Sequence, residues 1–390
     1  MRGLPGRWAL ALSVTLSLVT AGSTPAAAAV GPGVDQRRLQ TAVRDLHRLG
    51  VTGVQGISRS DGVTVRARAG VGDLSRGTPV PLDGHFRMGS NTKTFVAVVV
   101  LQLVGEGRLS LDDTVERWLP GVVTGNGNDG RRITVRNLLQ HTSGLPNYTD
   151  DLPLLTSEEG YRVHRFDHWA AGDLVALAMR HRPVFPPGTR WDYSNTNYVL
   201  AGMVVGSVTG RPWDREVRDR ILRPLGLRHT ATPGDRSTLP APHATAYQQW
   251  TPGGELTDTT RFNPTAADAA GNMVTTPTDL ARFWQALQRG RLLKPRQMAQ
   301  MHETVLAETF QDLMPGARYG LGIMFTPNRC GGYWSHGGDV LGVSTANGVS
   351  ADGSRVAVLS LSTQLAGDEE AIAVHRRTFR LLDDVICAVG

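Results

Sequence analysis

Ser90 and Lys93 stand three residues apart in Ser90-Asn91-Thr92-Lys93, in a chain that otherwise writes its cations as arginine. Lys93 and Lys294 are the two lysines among 41 basic residues. An arginine stays protonated at any working pH, whereas a buried amine can lose its proton and act as a base. On a helix, positions three apart share a face, so the amine of Lys93 reaches the hydroxyl of Ser90. That pairing is the chemistry of a serine nucleophile activated by a lysine. Two further segments carry reactive side chains: Tyr193-Ser194-Asn195, and Trp334-Ser335-His336-Gly337-Gly338.

The elements that position these groups follow from periodicity. Helical spacing runs from Val34 to Leu49 through Val34, Leu39, Val43 and Leu46. Two strand-like runs follow, 51–58 and 63–69, with Asp61-Gly62 between them as a hairpin turn. From Ser90 to Val104 the pattern is helical and nearly all apolar after Phe95, as in a helix buried on every side. Ser90 would then lie at the helix N-terminus, where free N–H groups favour negative charge. Between Leu111 and Pro264 the helical stretches 173–180, 195–208 and 213–221 are interrupted by prolines, with no strand indicated. A helix is expected over 278–288 with Thr278 as N-cap. Strands are expected at 319–325, 332–334, 342–349 and 355–362, and a final helix at about 368–387. This order predicts an α+β fold. An antiparallel sheet flanked by helices is built from both chain ends, and a helical lobe over 111–264 is inserted, with a cleft between the lobes.

Composition sets the boundaries. A chain of 390 residues with 40% hydrophobic and 19% charged residues is globular. Residues 1–29 read as a cleaved secretory signal: Arg2 and Arg7, an apolar run from Trp8 to Val19, then Ala27-Ala28-Ala29. The remainder, 30–390, is read as one hydrolase-sized unit that is secreted and monomeric. Removing the leader lowers the formal charge from +6 to +4, spread along the chain. No basic stripe points to nucleic acid and no later stretch is long enough to span a membrane. Cys330 and Cys387 are the only cysteines, and in an exported protein such a pair reads as a disulfide tying the last helix to the strand before His336. Two unpaired buried thiols are the alternative.

Together the three reactive segments resemble the Ser-x-x-Lys, Tyr-x-Asn and Lys/His-x-Gly motifs of the penicillin-recognising serine hydrolases, in order and spacing. Leu139-Gln140-His141-Thr142-Ser143-Gly144-Leu145 and Tyr319-Gly320-Leu321-Gly322 are similar to accessory signatures of the same family. The resemblance covers the mature chain and is nearest to secreted D-alanyl-D-alanine carboxypeptidases related to class C β-lactamases. It implies an acyl-enzyme on Ser90, proton transfer shared by Lys93 and Tyr193, and Asn195 orienting Lys93 and binding the substrate amide. It also implies that His336 holds the third-motif cation position and relays a proton with Tyr193. Gly338 and Asp339 would lie along the substrate, with the backbone N–H groups of Ser90 and Asp339 as the oxyanion hole. Which of Lys93 and Tyr193 is the base is left open by the residues alone.

Three positions depart from the carboxypeptidase pattern. The usual hydroxyls are replaced by Gly337 and Asp339, and Met324 stands where an arginine would hold a substrate carboxylate. At about 4 Å and an effective dielectric near 20, two like charges repel by roughly 4 kcal/mol. Terminal D-Ala-D-Ala therefore fits only if Asp339 turns away or Arg318 or Arg329 compensates. The activities implied are a D-alanyl-D-alanine carboxypeptidase first, then an esterase or D-amino-acid amide or peptide hydrolase, then a β-lactamase. A non-catalytic penicillin sensor is the reading from another class. The substrate would be a small peptide, amide, ester or β-lactam.

No cofactor or metal is implied. His164 to His168 places two histidines and Asp167 within about one turn but without a third ligand segment, and reads as a solvated segment. Gly125 to Gly130 reads as a turn-rich loop and not a dinucleotide fingerprint. His141 reads as a structural hydrogen-bonding residue at a helix end, Asp279 as a first-turn acid, and Lys294 as exposed.

Overall fold

The computed structural model describes residues 32–60 and 62–387, with side chains from Gln36 onward. The leader, the Val34 side chain and Asp61 lie outside the described residues. Helix α1 (Pro32–Arg48) leads into strands β1 (Gly53–Ser60) and β2 (Val63–Asp73), paired antiparallel with Ser60 opposite Val63. The short β3 (Thr78–Pro79) edges this end. The rest of the sheet comes from the far end of the chain: β4 (Val305–Leu306), β5 (Arg318–Tyr319), β6 (Met324–Thr326), β7 (Tyr333–Ser335), β8 (Gly338–Val340), β9 (Val343–Val349) and β10 (Val356–Leu361). Its order is β4-β5-β6-β7-β9-β10-β1-β2-β3, with β8 paired to β9. Both chain ends thus build one ten-stranded sheet, as the pattern predicts.

Alternation along the strands gives the sheet two apolar faces. On one face Val54, Val65, Ala67, Leu359 and Leu361 pack against α1 and the last helix, α6 (Asp368–Ile386). On the other, Ile57, Val356 and Val358 meet α2 (Asn91–Gly105) and α5 (Pro277–Gln288), where Phe95 and Phe283 stack with ring centroids 3.6 Å apart. Helix α2 is buried from Asn91 through Leu101, so its apolar surface on all sides is satisfied by sheet and lobe alike. The inserted region contributes α3 (Val135–Gln140) and α4 (Thr196–Thr209), which pack on each other, and α4 packs on α2.

Three local expectations change. Short strands do occur between 111 and 264: a hairpin at Thr124–Gly125 and Asn128–Asp129, and Tyr247–Gln249 paired with Leu256–Asp258 and with Thr363–Gln364. Runs of two or three residues are too short to show alternation in sequence. The N-cap of α5 is Thr276, whose hydroxyl accepts the Asp279 N–H, because Pro277 takes the first helical position where its missing N–H costs nothing. Asp279 does sit in the first turn, and its buried carboxylate also accepts the His229 N–H at 2.8 Å. The expected strand 319–325 is broken into β5 and β6 by a turn at Gly320-Leu321-Gly322. Gly322 has φ +74°, and a Cβ there would lie 2.5 Å from Ala97 Cβ and 2.7 Å from Tyr198 Oη.

Cys330 and Cys387 form the disulfide, closing a 57-residue separation with Cα atoms 5.6 Å apart. It fixes the C-terminal end of α6 beside β7. Chain-entropy arguments give a loop of this length about 4 kcal/mol. Cys330→Ser with Cys387→Ser should lower the unfolding free energy by about 2–4 kcal/mol in a urea titration. An unchanged midpoint would mean that α6 is held by packing alone.

Candidate active site

The site is assembled where the first turn of α2 meets the start of α4 and the ends of β7 and β8. Ser90 is the N-cap residue of α2 but makes no side-chain cap bond, so its hydroxyl is not engaged by the helix. One turn on, Lys93 is fully buried. Its Nζ lies 2.9 Å from Ser90 Oγ, 2.7 Å from Asn195 Oδ1 and 2.7 Å from the Ala270 carbonyl. Two of these partners can only accept, while the serine hydroxyl can also donate. A neutral amine therefore satisfies all three, giving its two N–H groups to Asn195 and Ala270 and its lone pair to Ser90. Loss of hydration holds the Lys93 pKa well below the ordinary lysine range.

Tyr193 lines the same cleft as Ser90, with Lys93 Nζ 4.9 Å from its ring centroid. Desolvation raises its pKa, so the phenol keeps its proton. Its ring is held by His141, whose centroid is 4.3 Å away. His141 ends α3 in the left-handed conformation, φ 60°, and is fully buried. Its Nδ1 accepts the Ser194 N–H at 3.3 Å and the Asn197 amide at 3.0 Å, the structural role expected from sequence.

His336 is present at the third motif but not as a proton relay to Tyr193. Its Nδ1 faces the Gly337 carbonyl at 2.7 Å, which can only accept, so Nδ1 carries the hydrogen. Nε2 then accepts the Tyr319 hydroxyl at 2.8 Å, while the Tyr193 and His336 ring centroids are 6.4 Å apart. Burial pushes the His336 pKa down to about 3. The histidine is neutral above that, and the expected cation is absent from this position. Asn347 locks the strand end, accepting the His336 N–H at 3.2 Å and donating to its carbonyl and to Asn91 Oδ1, both at 2.6 Å.

Glycine lets β8 approach the nucleophile. Gly89 has φ +51°, and a Cβ there would sit 2.9 Å from the Asp339 backbone nitrogen. A Cβ on Gly338 would fall 2.0 Å from the Met88 carbonyl oxygen. The Ser90 turn and Asp339 N are thereby brought side by side, the arrangement that two oxyanion donors require. The Asp339 carboxylate is exposed at the cleft mouth, where Ser344 Oγ and Gln364 Nε2 both donate to Oδ1. Among the described residues nothing donates to Oδ2. Neither arginine offered as compensation serves it: Arg318 binds the Thr304 carbonyl and hydroxyl, both at 2.9 Å, and Arg329 lies 3.9 Å from Asp384. Met324 lines the cleft as expected.

Several participants were not visible in the motifs. Asn147 Oδ1 accepts the backbone N–H of Asn195 at 2.9 Å and its amide at 3.3 Å, which leaves Asn195 Oδ1 aimed at Lys93. Ala270 comes from the short helix Asp268–Gly271, where the Asp268 carboxylate accepts Trp213 Nε1–H at 2.9 Å. Only the proximity of Asn147 to the 139–145 signature hinted at either. The other sequence candidates stand apart: His164 pairs with Asp167 at 2.8 Å, His168 with Asp235 at 2.6 Å, and Lys294 is exposed.

A buried amine against a serine hydroxyl, a protonated phenol beside it and paired backbone donors can attack a carbonyl and hold an acyl group. That is the machinery of a serine-type acyl hydrolase. The beta-lactamase family model matches residues 36–381, and the chain belongs to that family. Among solved structures, a D-stereospecific amidohydrolase from Streptomyces sp. shares 40% identity at TM-score 0.81, covering 91% of this chain and 99% of that one. The D-amino acid amidase of Ochrobactrum anthropi SV3, complexed with D-phenylalanine, shares 28% at TM-score 0.79, covering 91% of this chain and all of that one. The putative penicillin-binding protein PbpX of Bacillus subtilis is 25% identical over 300 residues, 76% of this chain. Penicillin-binding protein 4 of Amycolatopsis lactamdurans is 36% identical over 163 residues, 41% of this chain. The chain spans 66% and 40% of the lengths of these two curated relatives.

The His336 partnership is testable by hydroxyl deletion. Tyr319→Phe strands a buried acceptor and should cost about 1–3 kcal/mol in urea unfolding. Tyr193→Phe should leave stability nearly intact and slow acylation at least about 100-fold. Stability unchanged in both, with equal losses of acylation, would favour a His336–Tyr193 relay instead.

Proposed function

We propose that this protein is an exported serine amidohydrolase that cleaves amides of D-amino acids through an acyl-enzyme on Ser90. The observation that carries the substrate assignment is Asp339, a carboxylate at the cleft mouth whose Oδ2 accepts no hydrogen bond and which pairs with no arginine or lysine among the described residues. A substrate carboxylate would be repelled there, whereas the α-ammonium of an aminoacyl group would be held. Next to it a small apolar crevice of about 100 Å³, lined by Tyr148, Leu152, Phe262, Ala270 and Leu341, reaches Ser90 and suits an apolar side chain. Similarity to the D-stereospecific amidohydrolase and the D-amino acid amidase supports the same substrate class. The D-alanyl-D-alanine carboxypeptidase implied by motif order fits the site less well, for want of a carboxylate clamp. Export is supported by the Cys330–Cys387 disulfide, which persists in oxidising compartments.

In the mechanism, neutral Lys93 takes the Ser90 proton as Oγ bonds to the amide carbon. The oxyanion is held by the backbone N–H groups of Ser90 and Asp339. The carbon–nitrogen bond then breaks, and the proton passes from Lys93 through the Tyr193 phenol to the departing amine. Water enters, gives a proton back along the same route, and releases the acid from Ser90. The rate should rise with pH as Lys93 loses its proton and then level off, because His336 titrates near 3 and contributes no limb at neutral pH.

Purified enzyme should release ammonia from D-phenylalaninamide and not from the L-enantiomer, and Ser90→Ala should abolish it. Asp339→Asn should lower kcat/KM for the D-amide roughly fivefold or more and leave its N-acetyl derivative unaffected. D-alanine release from D-Ala-D-Ala peptides exceeding amide hydrolysis would overturn the assignment in favour of the carboxypeptidase.

A further inference from the structure

The cleft does not end at β8. From Ser90 and Tyr193 a cavity of about 510 Å³ continues past Ser335 and Gly337 and on beneath α6. Its entrance is walled by Phe310 and Met324, and its inner part by Ala346, Val374 and Phe379. Gly337 keeps the passage open: a Cβ there would meet only the Thr345 carbonyl oxygen, at 3.6 Å. The helix forming the roof is fixed at both ends. Cys387 is bonded to Cys330, Arg377 pairs with Asp45 at 3.0 Å, and the Ala366 N–H donates to Gln249 Oε1 at 3.1 Å. Asp339 is the one carboxylate along the lining, His375 and His336 are its imidazoles, and no arginine or lysine faces it among the described residues.

We infer that this cavity is the leaving-group subsite, and that it selects amides whose amine carries a long or aromatic apolar chain without a carboxylate. The inference rests on the amidohydrolase reading and adds the identity of the departing amine. Direction follows from proton bookkeeping. The leaving nitrogen must collect its proton from the Lys93–Tyr193 pair, and Tyr193 lines this cavity but not the small crevice on the other side of Ser90. The amine therefore departs toward α6, and the acyl side chain occupies the crevice. An alkyl or aryl amine gains from apolar burial along Ala346 and Phe379. An amino-acid amine would bring a carboxylate into a space that offers no guanidinium or ammonium to neutralise it.

The test is a homologous series of D-phenylalanine N-alkylamides from methyl to hexyl, whose amines have nearly equal basicity, compared with the amide of 6-aminohexanoic acid. In the wild-type enzyme kcat/KM should climb about two- to fourfold per methylene, and the terminal carboxylate should cancel most of the gain. Ala346→Leu should flatten the climb while methylamide turnover stays within about twofold. If that variant does not fold, as judged by its melting curve, Phe379→Ala at the roof should reduce the gain for the longer chains. A flat wild-type series, or a hexylamide and carboxylate-bearing amide cleaved equally well, would overturn the subsite. Should no amide be cleaved at all, the amidohydrolase reading fails by itself. The same alkyl chains presented as D-phenylalanine esters then decide the subsite, by an identical climb or its absence.

Discussion

The burial of one amine governs this site. Lys93 Nζ is removed from water and surrounded by three oxygens, from Ser90, Asn195 and Ala270. No carboxylate stands among them to pay for a full positive charge. Under those conditions loss of hydration lowers the amine's affinity for its proton well below that of an ordinary lysine. The same chain shows why arginine cannot substitute. Arg87, three residues before the nucleophile, is also buried, lies over the Phe262 ring at 4.2 Å and donates to three backbone carbonyls. Burial pushes its pKa down only to about 10, so it stays charged at neutral pH and serves to tie the loop at 237–262.

A neutral Lys93 sets the state of its neighbours. Tyr193 and Tyr319 keep their protons because burial raises their pKa values, and His336 stays unprotonated because burial lowers its own. The interior of the site thus holds no permanent charge. Asp339, on the rim, is the charged group a substrate meets first. This division assigns chemistry to the buried face and selection to the mouth. Three separate devices support it: Asn147 fixes Asn195, Asn347 fixes the end of β7, and Gly89 admits β8 to the nucleophile.

The reactive residues could be read from the chain because each sits in a short motif whose spacing is set by a single helix turn or strand. The sheet built from both ends was equally readable, since β1, β2, β9 and β10 are long enough to alternate. The partners of those residues were not. Ala270 contributes only a carbonyl, which any residue would offer, and Asn147 acts across 48 positions of sequence. The pairing of His336 with Tyr319 depends on the break at Gly320 to Gly322, which turns a continuous apolar run into two strands. Similarly, Thr276 displaced Thr278 as cap because the proline between them claims the first helical position.

Because the chain holds only two lysines, the protonation of Lys93 can be observed directly. Protein labelled with carbon-13 at the lysine ε position should give two resonances, assigned by Lys294→Arg, and followed from pH 5 to 11. Burial requires the Lys93 signal to reach the neutral-amine shift at a pH well below the ordinary lysine titration near 10.4. An ammonium shift persisting to pH 10 would show that the buried amine keeps its proton and that another group deprotonates Ser90.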